Sequence, residues 1–440
     1  MKQNEILAPW KGDKRFTAMA KRVGQLKKAR HTPAEIAAAI AAEFGPPPQM
    51  ERLRDQPGPF SVYGAVGDDI ERGAVEQLEL AMRLPVAARG ALLPDAHPGY
   101  ALPIGGVFAA RNAVAPAMVG VDIGCRMHLT ILDLPPDQLR RGRDRLFDDL
   151  RSVTVFGAGG SRKRAADHAI LDPANWDITN QTRTLLPRAA QQLGTSGSGN
   201  HFAELVVGER IGENDLPERF AALLTHSGSR GVGYAIAQHY IRLAAQETAR
   251  RASVPKMYEW LDLDSEAGRE YWAAMELAGA YAEACHEVIH RQFLRRAGLK
   301  ERLVIQNHHN FAWREDGLVV HRKGATPAGA GVRGVIPGSM AAASYIVEGR
   351  GSAESLNSAS HGAGRRFSRA EARNTIGMAE VRQFLKQQDI VVAGLSIDES
   401  PFAYKDIERV MRLQVEAGLI APLARMWPVA VQMAGEKGDD

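Results

Sequence analysis

Apolar residues recur at helical spacing over only a few stretches of the chain, and most of those stretches are long. The pattern predicts helices over about residues 32–44, 135–150, 233–251 and 266–297. The first is bounded by local signals: Thr32 suits the N-cap, Pro33 the first turn, and Gly45 followed by three prolines ends it. From about Phe60 onward the texture changes. Short β-like apolar runs alternate with loops rich in Gly, Pro, Ser, His and Asn, and the helices sit between them. No period of 20–50 residues repeats, which argues against a solenoid. Strands do not alternate with single helices, which argues against a Rossmann or barrel fold. The expected class is α+β, with mixed sheets, flanking helices and unusually long loops.

Composition narrows the function classes. With 440 residues the chain can bury a sizeable core, and 45% hydrophobic with 24% charged residues is ordinary for a soluble globular protein. No apolar run approaches the roughly 18 residues of a membrane span, and the first residues lack the basic-then-apolar order of a signal peptide. There are two cysteines, Cys125 and Cys285, so a disulfide scaffold is excluded and a cytoplasmic thiol protein is expected. A net charge of +4 is compatible with a polyanionic partner without demanding one. The basic stretches Lys11 to Arg15 and Lys21 to Arg30 read most simply as a solvated face on a small helical appendage, residues 1–50 with their linker. An RNA-gripping module is the sharper alternative.

Candidate chemistry lies in the loops. His97 stands in PDAHPGY, His201 in GTSGSGNHF, His226 in HSGSRGVG and His361 in SASHGAGR; His309 (NHHNFAW) and His321 (HRKGA) lie in short polar segments. Glycine lets a backbone approach a ligand and offers its amides to anions, so histidine beside it suits metal or phosphate chemistry. In VGVDIGCRM, residues 119–127, Asp122 and Cys125 flank a glycine at the expected end of a buried strand. A hard carboxylate and a soft thiolate three residues apart could share a metal with imidazoles from other loops. Taken alone, Cys125 reads as a small buried hydrophobe.

Eight segments taken together carry more. PDAHPGYALPIGGV (94–107), VGVDIGC (119–125), GTSGSGNHFAE (194–204), HSGSRGVG (226–233), HHN (308–310), HRKGAT (321–326), IPGSM (336–340) and SHGAGR (360–365) resemble, in the same order, the RtcB-type RNA ligases. The resemblance spans roughly residues 60–410. It implies a catalytic domain over residues 51–440 that joins an RNA 3′-phosphate or 2′,3′-cyclic phosphate to a 5′-hydroxyl, in RNA repair or tRNA splicing. It implies GTP and two Mn²⁺ as cofactors, His361 as the nucleophile that carries GMP, and, in some members, an archease-like activating partner. Neutral imidazole is available at pH 7, because its ordinary pKa is about 6.5.

The resemblance further implies one Mn²⁺ held by Asp122, Cys125 and His201 and the other by Cys125, His226 and His309, with the thiolate bridging. Two such cations, roughly 3.5–4 Å apart, can screen an attacking and a leaving oxygen. Asn200, Glu204, Asn310, Ser339, His361, Gly362, Ala363 and Gly364 match nucleotide-contacting positions, and Arg230 could hold an RNA or triphosphate oxygen. Three features depart from the pattern. Arg126 replaces the usual glycine after the cysteine, adding positive charge that could meet RNA phosphate. Met433 falls at the position of a C-terminal lysine that lies against guanine, with Lys437 close by, which weakens the expectation of guanine preference. The N-terminal 45 residues lie outside the resemblance, as in a specialised paralogue.

Two rival readings are available. CHEVIH contains HExxH, with His286 and His290 a helical turn apart and Glu287 between, the spacing of a zinc metalloprotease. The simpler reading is a solvated helical stretch with incidental histidines, and no third ligand is evident. A non-catalytic RNA-binding repair protein would require loss of ligands or nucleophile, yet every matched residue is present. A P-loop GTPase is excluded by the absence of GxxxxGK[ST].

Overall fold

The computed structural model describes residues 3–10, 15–46, 50–157 and 159–435. It is an α+β fold whose two main sheets are largely antiparallel. The larger sheet runs in the order Glu301–His308, Arg126–Leu132, Arg219–Ser227, Phe202–Arg210, Ile420–Met433, Ser344–Gly349, Arg333–Ile336, with Val391–Ala393 pairing alongside Ile420–Met433. The second runs Asn310–Glu315, Leu318–Lys323, Ile104–Ala110, Ala87–His97, Phe60–Val62. Only His309 separates the last strand position of one sheet from the first of the other, so it lies where the two sheets meet.

Helix Glu266–Ala297 backs the larger sheet. Its ends follow from local chemistry: the Ser265 side chain accepts from Gly268 N–H, and Gly298 closes it in the left-handed conformation. Its apolar face, including Tyr271, Met275, Tyr281 and Val288, forms a core with Arg230–Thr248 and Asn180–Gln192. The expected helix over 135–150 is two, Pro136–Arg141 and Arg143–Val153, because the chain turns at Gly142. The helix expected from 233 begins earlier, at Arg230. The VGVDIGC segment does not end a strand. Val119 ends the short helix Pro116–Val119, and Gly120 to Cys125 form a loop leading into the strand Arg126–Leu132. A run of β-branched residues is read as strand, but Pro116 at the first helical position starts a turn of helix there instead.

Residues 6–44 hold a small core of their own, with Trp10, Met19, Val23, Leu26, Ile36 and Ile40 packed together. The N-cap predicted at Thr32 is formed, and Glu35 completes a capping box with it. The basic run Lys11 to Arg15 falls mostly outside the described residues, as does Lys437. Among the described residues no helix is long and apolar enough to cross a membrane.

Candidate active site

The site is a product of antiparallel register. Neighbouring strands run in opposite directions, so the starts of Arg126–Leu132 and Phe202–Arg210 reach the same edge as the ends of Glu301–His308 and Arg219–Ser227. Cys125 and His201 precede the two starts; His226 and His309 belong to the two ends. Four strands thus deliver four side chains to one edge, and Asp122 joins them from the loop before Cys125.

Their ligating atoms converge. Cys125 Sγ lies 3.5 Å from His201 Nε2 and 3.2 Å from His226 Nε2. His201 Nε2 is 3.0 Å from Asp122 Oδ2, and His226 Nε2 is 3.2 Å from His309 Nε2. Asp122, Cys125 and His201 form one group able to hold a metal ion, and Cys125, His226 and His309 form another. The hydrogen bonds of the far ring nitrogens orient two of the histidines. His201 Nδ1–H donates to Ser196 O (2.6 Å) and His226 Nδ1–H to Asn200 O (3.1 Å). A carbonyl only accepts, so in the neutral rings both Nε2 atoms carry lone pairs into the cluster. Lone pairs, a carboxylate and a sulfur aimed at one space suit a borderline-soft divalent cation. Desolvation would raise the Asp122 pKa, but a His201 protonated on both ring nitrogens, together with Arg230, holds it down at about 2; loss of the Nε2 proton then frees that lone pair for a metal ion. Burial and the Asp122 charge push the Cys125 thiol well up, so a thiolate there calls for a cation beside it. Gly228 makes room for the carboxylate: a Cβ there would overlap Asp122.

His361 faces this cluster from the second sheet's side. It follows the strand Ser358–Ser360, and its ring centroid is 4.9 Å from that of His309. Asp95, which the sequence reading did not single out, holds it twice, accepting from His361 N–H (3.1 Å) and Nδ1–H (2.7 Å) on the same oxygen. Asp95 is fully buried and its other oxygen has no hydrogen-bond partner among the described residues. The Nδ1–H is thereby fixed, and Nε2 is left with its lone pair. Gly364 lets the loop close on this pair, since a Cβ there would overlap Asp95 O. Asp95 stands in the PDAHPGY motif two residues before His97, whose imidazole is the more conspicuous candidate for chemistry.

Two neighbouring cavities that share lining residues flank the site. One, of about 590 Å³, is lined by Asn200, Glu204, Ser339, Gly362, Ala363 and Met433, among others. The second, of about 720 Å³, is bordered by Asp122, Cys125, Asn310, Gly364, Arg365 and Arg369. Both reach His226, His309 and His361. Every residue expected to contact the nucleotide therefore borders one of the two. Glu399 and Tyr404, in no quoted motif, also line the first cavity and hydrogen-bond one another.

Glu204 is buried, and desolvation raises its pKa to about 8. Because the folded pKa exceeds the ordinary 4.5, its contribution to stability is greatest at low pH and is lost as pH rises toward 8. Glu204→Gln should therefore gain stability relative to the natural protein between pH 5 and 8, on the order of 1 kcal/mol per pH unit. Urea unfolding at pH 5 and pH 8 reads this directly; a difference that does not change with pH would refute it.

Four other residues singled out in the sequence stand outside the ligand cluster. Arg126 does not present its charge to the cluster: its guanidinium is buried, 3.0 Å from Glu283 and 3.1 Å from Gln306. His321 is a core residue, accepting from Ala115 N–H and donating to Phe108 O. His97 borders the second cavity, with Nδ1 bonded to Asp95 O. Arg230 lies in the left-handed region at the start of its helix, its guanidinium against Gly197 and its Nε 3.3 Å from Thr195 Oγ1.

The HExxH stretch is not solvated, since His286 and His290 are both buried. They lie in a directed chain of hydrogen bonds. His286 Nε2–H donates to Ser227 O (3.1 Å), so its Nδ1 accepts from the Thr225 hydroxyl (2.6 Å). Thr225 Oγ1 then accepts from His290 Nε2–H (2.8 Å), and His290 Nδ1 accepts from the Thr130 hydroxyl (2.7 Å). Desolvation holds both rings neutral, with pKa values well below the ordinary one. All four ring nitrogens are engaged, and Glu287 turns outward to His168, 2.7 Å away, so the elements of a zinc site do not come together. His286→Ala should cost about 2–4 kcal/mol by leaving Thr225 and Ser227 unsatisfied in a cavity, whereas Glu287→Ala should cost under about 0.5 kcal/mol. Denaturant midpoints for the two variants check this; equal costs would be the contrary result.

Comparison with known proteins adds an independent line. Residues 77–434 match a family described as tRNA-splicing ligase RtcB. A tRNA-splicing ligase RtcB of Nanoarchaeum equitans is 32% identical, the match covering 82% of this chain and 91% of that protein. An RNA-splicing ligase RtcB of Escherichia coli K12 is 31% identical, over 83% of this chain and 95% of its own length.

Proposed function

Because this chain belongs to the RtcB family, whose match covers most of its length, we propose that it is an RNA ligase that joins a 3′-phosphate or 2′,3′-cyclic phosphate end to a 5′-hydroxyl, using GTP. The observation that carries the reading is His361: its Nδ1–H is held by Asp95 and its Nε2 is left free beside the convergent ligand cluster.

In this reading His361 Nε2 attacks the α-phosphorus of GTP, pyrophosphate leaves, and GMP remains on the ring. The ring becomes cationic as the bond to phosphorus forms, and the buried Asp95 carboxylate answers that charge. GMP then passes to the RNA 3′-phosphate, and the 5′-hydroxyl displaces it; a cyclic phosphate is first opened by water. Asp122, Cys125, His201, His226 and His309 would hold two Mn²⁺, which supply charge neutralisation to the phosphoryl groups when bound. Asn200, Glu204, Asn310, Ser339 and the backbone of Gly362, Ala363 and Gly364 would seat the nucleotide. Met433 lines the same cavity and would pack its thioether against the base without the charge a lysine brings. An archease-like activator and a cytoplasmic role in RNA repair or tRNA processing belong to the same proposal.

The direct test is ligation of RNAs with defined ends. Joining should require GTP, Mn²⁺, a 3′-phosphate or cyclic phosphate, and a 5′-hydroxyl. Joining of 3′-hydroxyl to 5′-phosphate ends instead would refute the reading.

A further inference from the structure

The charge of this chain is unevenly placed. Residues 1–45 hold nine lysines and arginines against four acidic residues, a net +5, whereas the whole chain is only +4. The remainder thus carries one net negative charge. The N-terminal segment concentrates positive side-chain charge in one small unit, which favours attraction of a polyanion there.

That segment presents its charge from a folded surface. Helix Phe16–Lys28 turns Met19, Val23 and Leu26 into the small core, which leaves Lys21, Lys28 and, just beyond the helix, Arg30 exposed. Two of its acidic residues are engaged close to home. Glu43 pairs with Arg22 at 2.7 Å, and Glu35 closes the Thr32 capping box. The unit lies outside the stretch matched by the family, which begins at residue 77.

Its attachment point is defined as well. The chain enters the body at Glu51–Arg52, which pairs with Ala252–Ser253. That strand follows helix Arg230–Thr248, whose first residue stands against the Gly197 loop of the active site. Nineteen residues of helix span about 28 Å. The chain therefore enters the body near the far end of this helix, about 28 Å along its axis from the end that stands against the active-site loop.

Building on the RNA-ligase reading, we propose that the N-terminal unit is an RNA-docking module. It grips backbone phosphates on the order of ten base steps from the ends being joined. It confers affinity without sequence information and takes no part in the chemistry. Substrates too short to reach it gain nothing from it.

The test uses the full-length protein and a triple variant, Lys21→Gln, Lys28→Gln and Arg30→Gln, whose sites are exposed and leave the small core untouched. Two substrates carry the same ends, one flanked by about five nucleotides and one by about thirty. For the long RNA, KM should rise at least about tenfold near 0.1 M salt, and the log–log salt slope of binding should become shallower by about two. For the short RNA, KM, kcat and covalent labelling by GTP should not change. Removing residues 1–45 should reproduce the pattern. Equal losses on both RNAs would overturn the proposal, since the residues would then act through the fold. No loss on either would also overturn it and would leave the basic face to an acidic protein. Equilibrium binding of the two RNAs without GTP decides the matter even if no ligation occurs, so failure of the module and failure of the ligase reading are told apart.

Discussion

Incubated with α-labelled GTP and Mn²⁺, the protein is expected to retain GMP in a covalent bond that acid breaks and alkali spares. A phosphorus–nitrogen bond has this signature, because protonating the imidazole turns it into a good leaving group. His361→Ala should remove labelling and joining together, by more than about 10³-fold, since the attacking nitrogen is gone. The fold should survive, as His361 lies on a loop after the short strand Ser358–Ser360. Asp95→Asn offers a sharper probe. It keeps the size of the side chain but removes the charge that answers the imidazolium, and it permits the wrong tautomer. A loss on the order of 10²–10⁴-fold in the labelling rate, with GTP binding largely kept, is expected by analogy with other carboxylate–histidine pairs. Normal labelling of His361→Ala would overturn the assignment of the nucleophile. Normal labelling of Asp95→Asn would reduce Asp95 to a packing residue.

Replacing Cys125 by serine should remove both cations at once. Sγ is the one atom common to the two candidate ligand groups, and a serine hydroxyl neither ionises near neutral pH nor offers a soft donor. Loss of a residue that only hydrogen-bonds a metal ligand costs about 10–100-fold in metal affinity, so loss of a shared ligand should cost at least about 100-fold for each ion. Elemental analysis after gel filtration, and titration calorimetry with Mn²⁺, would read the stoichiometry directly. His201→Ala should instead weaken one ion more than the other, because it belongs to only one group. Mg²⁺ should substitute poorly, since it prefers oxygen ligands and keeps its waters. A Cys125→Ser protein that still binds two Mn²⁺ tightly and ligates at full rate would exclude the bridging role.

Features governed by neighbouring residues were legible in the sequence. The N-cap at Thr32 and the whole span of helix Glu266–Ala297 follow from caps and periodicity, which act over a few residues. The expected ligands and His361 also came from local texture, histidine beside glycine, together with the order of the eight motifs. Texture could not sort those histidines. Of the six singled out, four converge, His97 borders a cavity, and His321 is a core residue bonded to Phe108 O and the Ala115 amide. Nor could it foresee that His286 and His290 are buried in a chain of hydrogen bonds, or that Arg126 turns its charge to Glu283. The partner of His361, Asp95, lies 266 positions away along the chain. These outcomes depend on which strand lies beside which, and in what register, and a shift of one residue would send each side chain to the opposite face. Residue types and motif order set what chemistry was available; antiparallel pairing of strands far apart in the chain decided which residues share one edge.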